Sequence, residues 1–170
     1  PLDENSREIR AMIAWFKWLG KDVKKDTRPK GTGLTALPLL SRPADPAKGK
    51  AVYGKHCQVC HGVAAQGVKH PDSLEWIYPP LAGMDSYNTS AGLLRLSRFA
   101  GYVKSNMPNG ATYDNPVLTD EEAWDVAAYV NSLPRPEKHF PQDWPDIAAK
   151  PFDHPFGPYA DTFSETQHKY

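Results

Sequence analysis

Apolar positions recur at helical spacing in four stretches of the chain and alternate convincingly in none. In NSREIRAMIAWFKWLG, Ile9, Met12, Ile13, Phe16 and Leu19 fall on one stripe and Gly20 follows the last of them, which predicts an amphipathic helix with a glycine stop. In ADPAKGKAVYGKHCQVCHG, Ala47, Gly49, Ala51, Val52 and Tyr53 predict a short helix of small and apolar residues. In SAGLLRLSRFAGYVKSN, Leu93, Leu96, Ala100 and Val103 share a face, with Ser90 as the expected N-cap. LTDEEAWDVAAYVNSLPRP opens on Thr119 with Glu122 three residues later, a capping box, and stops at Pro134; its core face is Val126, Ala127 and Val130. Helices joined by Gly- and Pro-rich loops, with no convincing strand between them, predict an all-α domain.

Beyond the last helix the pattern changes. From Pro134 onward there are seven prolines, interleaved with Phe140, Trp144, Phe152, Phe156, Tyr159 and Phe163. Disordered linkers are poor in aromatics, so the expectation is an extended tail laid over the domain surface.

Composition narrows the class. With 170 residues and 40% hydrophobic content the chain suits one packed domain plus extensions. Twenty basic and twenty acidic residues give a formal charge of zero, and no basic block suits the neutralisation of nucleic-acid phosphates. No apolar run reaches the roughly 20 residues of a membrane span. The chain opens on Pro1, without an initiator Met, and is expected to be processed or part of something longer.

The only two cysteines lie in CQVCHG, with a histidine directly after the second. One bridge over so short a loop would constrain little unfolded-chain entropy. Structural zinc needs a second ligand pair, yet His70, His139, His154 and His168 stand singly. A dithiol redox pair belongs in a βαβ pattern, which does not precede Cys57. Covalent haem accounts for all three residues: Cys57 and Cys60 add across the vinyl groups, and His61 is carried under the iron as axial ligand. One such motif predicts one covalent haem c per chain.

The order of helix, CxxCH, Pro-rich loop, helix, loop Met before Pro, and final helix with VAAYV resembles the class I cytochrome c fold over residues 45–134. Gly49 and Tyr53, eight and four residues before Cys57, resemble the family's small and aromatic pair where the first and last helices cross, with Tyr129 as the partner. Pro108 disfavours helix at Met107 and leaves that side chain on a loop, which is also where the family carries its sixth ligand. Met107 is therefore preferred to Met84 as the second iron ligand, and Met12 is read as a helix-stripe residue. The resemblance also implies a carbonyl near Pro80 as acceptor for the proximal imidazole. Lys48, Lys50, Lys55, Arg95, Arg98 and Lys104 either steer an acidic redox partner or are solvated helix faces.

Set 114 positions apart, Asn5 falls on Thr119, Glu8 on Glu122, Trp15 on Tyr129, Phe16 on Val130 and Leu19 on Leu133. This suggests that residues 1–44 are a helix and linker ending a preceding cytochrome domain, with residues 135–170 as the tail. RPKGTGLTALPLLSRPADPAKG, YPPLAG, LSRFAGYVKSNMPNG, EEAWDVAAYVNSLPRP and KPFDHPFGPYADTFSETQHKY are similar to the second half of the dihaem thiosulfate dehydrogenase family. In that family substrate oxidation belongs to a first haem whose iron carries a cysteine, and this chain has no cysteine left for that role. The resemblance implies electron transfer through a His/Met-ligated haem with no catalytic residue. The alternative is the electron-accepting half of a longer, tetrathionate-forming enzyme. The expected partner is a redox protein or an adjacent haem domain, and the expected location is the periplasm.

Overall fold

The computed structural model describes residues 3–27, 33–138, 140 and 144–170. Residues 28–32 of the linker and His139 lie outside the described residues. The chain divides into two compact units, residues 1–33 and 34–170.

The first unit holds α1 (Arg7–Leu19). Its N-cap is Ser6, whose hydroxyl accepts from the Ile9 N–H, and not Asn5 as the 114-residue register suggests; Asn5 instead donates its N–H to the Asp3 carboxylate. Gly20 closes the helix by donating to the Phe16 carbonyl. No residue of α1 is buried, and Trp15 and Trp18 stack on its surface with ring centroids 5.0 Å apart.

In the second unit, α2 (Pro46–His56) begins at Asp45, whose carboxylate accepts from the Ala47 and Lys48 N–H groups, and carries proline in its first turn. It runs into the one-turn α3 (Gln58–His61). α4 (Leu96–Asn106) and α5 (Asp120–Ser132) complete the core. The predicted capping box of Thr119 and Glu122 forms, and α5 buries Ala123, Val126, Ala127, Ala128 and Val130 against α2 and α4. At the α2–α5 crossing a Cβ on Gly49 would sit 1.9 Å from the Asp125 carbonyl oxygen, so only glycine allows this approach. Tyr53 packs on Tyr129 at the same crossing, centroids 5.3 Å apart. Among the described residues the architecture is all-α apart from one hairpin.

That hairpin is the first departure from the sequence reading. β1 (Val68–Lys69) and β2 (Trp76–Tyr78) pair antiparallel with an irregular register. Two and three residues are too few to register as alternation. The second departure is the start of α4. Ser90 does not cap it; a 3-10 turn over Gly92–Leu94 intervenes, and Asp153 of the tail accepts from the Ser97 N–H and hydroxyl in the first turn, while Arg95 pairs with the same carboxylate.

Residues 34–44 belong structurally with the compact unit. Arg42 grips the Asp125 carboxylate with both terminal nitrogens at 2.8 Å, Asp45 N–H adds a third bond to it, and the Trp124 indole donates to the Pro38 carbonyl. The tail returns along the domain through Asp153, through Lys138 on Thr89, and through Tyr170 against the core. It carries a 3-10 turn (Ile147–Ala149) and α6 (Glu165–Lys169), whose buried His168 is bonded to the Phe152 carbonyl and the Asp161 carboxylate. Among the described residues no helix is long and apolar enough to cross a membrane.

Candidate haem site

The junction of α2 and α3 sets the site. The Cys57 N–H still bonds to the Tyr53 carbonyl, and the N–H groups of Cys60 and His61 both bond to the Cys57 carbonyl. Cys57, Cys60 and His61 are thereby held on a single turn. Gly62 leaves it at φ +82°, a conformation that favours glycine, and its carbonyl accepts the Tyr53 hydroxyl at 2.7 Å. The helix crossing and the motif are thus tied together by one phenol.

His61 is buried, and its Nδ1 bonds to the Pro79 carbonyl at 3.0 Å. A carbonyl only accepts, so Nδ1 carries the proton and Nε2 is the nitrogen free to bind a metal. The acceptor is the carbonyl of Pro79, next to the Pro80 near which the resemblance implied it. Pro80 is buried beside it, and the next two N–H groups, of Leu81 and Ala82, converge on the Ala65 carbonyl at 2.8 and 3.0 Å. Gly67 closes the arrangement from below: its N–H bonds to the His61 carbonyl, and a Cβ there would meet the Tyr78 carbonyl at 2.6 Å and the Pro80 nitrogen at 2.7 Å. Neither Pro79 nor Gly67 was singled out in the sequence. A glycine six residues after the motif histidine, ahead of a Pro-Pro pair, is the signal that was there to be read.

Both cysteines are free and half-buried. Burial, with the neighbouring Cys60 thiol adding to it, pushes the Cys57 thiol up to about 11. A nucleophilic or redox cysteine needs the opposite shift, toward the thiolate, so the setting of Cys57 does not suit an attacking thiol. Among the described residues no group of three or more His, Cys, Asp or Glu gathers to hold a bare metal ion. One imidazole with its second nitrogen engaged, beside two free cysteines on one turn, fits an iron porphyrin joined through its vinyl groups. The Tyr78 phenol also belongs to this cluster. Its hydrogen bond to Cys60 is the main cause of an upward shift, and its ring lies edge-on to the His61 ring, centroids 6.4 Å apart.

The two candidate methionines differ in setting. Met107 caps α4 with extended backbone, donates its N–H to the Val103 carbonyl and packs, half-buried, against the core. Met84 is 80% exposed in the loop after Gly83. Of the basic residues read as either steering a partner or forming solvated helix faces, Arg95 is committed to Asp153 and Lys104 to Asp120 and the Leu118 carbonyl.

Known proteins bear on this site directly. The sequence model for cytochrome c matches residues 46–134. Over 146 residues the chain is 35% identical to a thiosulfate dehydrogenase of Psychrobacter arcticus, covering 85% of this chain and 43% of that protein. Over 125 residues it is 40% identical to one from Allochromatium vinosum, covering 74% and 44%. The structure of a thiosulfate dehydrogenase (TsdBA) from Marichromatium purpuratum superposes with a TM-score of 0.70 at 34% identity, covering 89% of this chain and 32% of that one. The chain therefore spans less than half the length of these relatives. With the motif turn, the engaged proximal histidine, the α2–α5 crossing and a family match over more than half of its residues, the chain belongs to the cytochrome c family, whose domains bind haem c covalently and transfer electrons.

Proposed function

We propose that this chain is a one-electron relay with a single haem c, held by thioether bonds at Cys57 and Cys60, with His61 and Met107 as the two iron ligands. The observation that carries this reading is the His61–Pro79 hydrogen bond, which fixes the tautomer and leaves Nε2 available to a metal, on the same turn as both cysteines. The haem supplies the one-electron couple, and a thioether ligand holds its potential high. The protein's own work is to orient the imidazole, through Pro79, and to exclude water, through the packing of Leu81, Leu93, Val130 and Leu133. The setting of Met107 supports its assignment, since its side chain is half-buried against the core, whereas Met84 lies in solvent. Pro80 acts as a neighbour of the acceptor and not as the acceptor.

The partial coverage of thiosulfate dehydrogenases supports a place as the electron-accepting portion of such an enzyme, working from an adjacent haem domain in the periplasm. With both cysteines assigned to thioethers, no cysteine remains in this chain to serve a substrate-oxidising iron.

Two measurements test the proposal. Acid-acetone denaturation should leave the colour with the polypeptide at one haem equivalent, and colour in the solvent would sink it. The oxidised protein should show a weak far-red sulfur-to-iron band that Met107→Ala abolishes and Met84→Ala leaves intact. The reverse result would move the ligand to Met84.

A further inference from the structure

At Gly101 the backbone of another segment presses directly on α4. A Cβ there would sit 1.9 Å from the Thr35 carbonyl oxygen and 3.0 Å from its carbon, so the chain at Thr35 lies on the bare Cα of a buried glycine. Glycine weakens a helix interior, and this close approach is what it permits here. One turn further on, the hydroxyls of Thr35 and Ser105 hydrogen-bond. Gly101 and Ser105 are four residues apart and share a face of the helix. Met107, the residue that caps α4, follows Ser105 by two positions. A single residue thus grips the C-terminal half of α4 with both its carbonyl and its side chain.

Thr35 is itself firmly placed. Leu37 and Leu40 pack against the core, the Pro38 carbonyl accepts the Trp124 indole, and Arg42 holds Asp125, so the segment runs from α4 to α5 as a strap anchored on both. The loop after Met107 is tied back to the same turn, because Lys104 donates to the Leu118 carbonyl at 2.6 Å and pairs with Asp120 at 2.8 Å. Val103, whose carbonyl accepts the Met107 N–H, is buried and lies roughly 200° round the helix from both Gly101 and Ser105. The strap therefore bears on the back of a turn whose other side enters the core.

Resting on the reading of Met107 as iron ligand, we infer that Thr35 is a positioning residue for that ligand: its carbonyl on Gly101 and its hydroxyl on Ser105 fix the last turn of α4 and so hold the Met107 thioether in place. Groups that orient a metal ligand tune the site as the ligand itself does. The segment ahead of the haem motif thus governs how tightly the sixth position is closed, a role separate from its packing against α5.

The haem-loaded protein carries the test, with cyanide as the probe of an opened iron. Thr35→Val keeps the carbonyl contact and removes the hydroxyl. It should speed cyanide binding to the oxidised protein severalfold, weaken the far-red sulfur-to-iron band and speed amide exchange at Met107, and Thr35→Ser should restore all three. Gly101→Ala, which drives the strap off the helix, should produce the same changes in larger measure; where that variant does not fold, Thr35→Val decides alone. Asp153→Ala loosens the opposite end of α4 and should leave both cyanide binding and the band as they are. Unaltered cyanide binding in Thr35→Val overturns the inference. An equal rise in Asp153→Ala overturns it too, since general loosening of the helix would then suffice. A band missing from the unaltered protein is the failure of the Met107 reading, and the inference falls with it. A band present there but unmoved in Thr35→Val is the failure of the inference alone.

Discussion

α1 and α5 carry closely related patterns 114 positions apart, and both are capped helices of 13 residues, yet they end in opposite environments. α5 buries seven residues and α1 none. The difference lies in what meets them. α5 presents Ala123, Ala127 and Ala128, small enough for α2 and α4 to approach, while α1 carries Ile9, Ile13 and Ala14 at those places, with Trp15, Phe16 and Trp18 outward. An amphipathic stripe states that a helix has a buried side in some assembly; the close-packed partner decides whether that side is used. In α5 the partner is Gly49 of α2.

The strongest break of the comparison is therefore at the crossing. Gly49→Ala places a methyl 1.9 Å from the Asp125 carbonyl and 2.8 Å from the Tyr129 Cβ, and both helices must move. A loss of about 3 kcal/mol is expected, at the upper end of overpacking costs, read by denaturant unfolding of the haem-loaded protein. The matching change on the first unit, Gly20→Ala, meets only the Phe16 carbonyl at 3.5 Å and should stay within about 0.5 kcal/mol. Equal effects would mean that the crossing is not what distinguishes the two helices.

A second break removes the charge on α5 that α1 lacks. Burial pushes the Asp125 carboxyl up, but the paired Arg42 hydrogen bonds and the Asp45 N–H outweigh it and leave the group below its ordinary value. A depressed folded-state value stabilises above the unfolded pKa of about 3.9 and is lost as pH falls through the folded value. Asp125→Asn should cost about 2 kcal/mol near neutral pH, since it leaves a partly buried guanidinium short of its partner, and it should flatten the acid limb of the stability curve. Asp153 and Glu122, also held low, contribute to the same limb and leave part of it in place. An unchanged acid limb would remove Asp125 from the account.

How much of this was legible follows from range. Thr119 with Glu122, Gly20, the Gly49–Tyr53–Tyr129 set and the CxxCH turn each act within a few residues or through residue types confined to one role, and the sequence carried them openly. The start of α4 was not legible, because the group that caps its first turn, Asp153, lies 56 residues beyond Ser97. Nor was the packing of residues 34–44, where Thr35, Pro38 and Arg42 use carbonyls and a guanidinium without any periodicity. Pro79 and Pro80 are adjacent and chemically alike, and only the three-dimensional turn over Gly67 decides which carbonyl faces His61. Asp153→Ala tests the nonlocal cap: a loss of about 1 kcal/mol, the usual worth of an N-cap, with the tail becoming more susceptible to protease. Unchanged stability and protease resistance would show that the tail is held by other contacts.

The smallest effect sharpens the comparison most. Phe16 occupies the α1 place of Val130 and is 63% exposed, against 3% for Val130. Phe16→Ala should leave the unfolding of this chain within about 0.5 kcal/mol, whereas Val130→Ala, which opens a gap in the core, serves as the positive control. If α1 is the closing helix of a preceding cytochrome domain, the same Phe16→Ala in a longer chain that includes that domain should become costly, on the order of 3 kcal/mol, because the ring would then fill a core. One substitution measured in two lengths of chain separates a pattern shared by chance from a shared fold. A silent result in both would dissolve the kinship of the two helices and leave α1 as an amphipathic helix of independent origin.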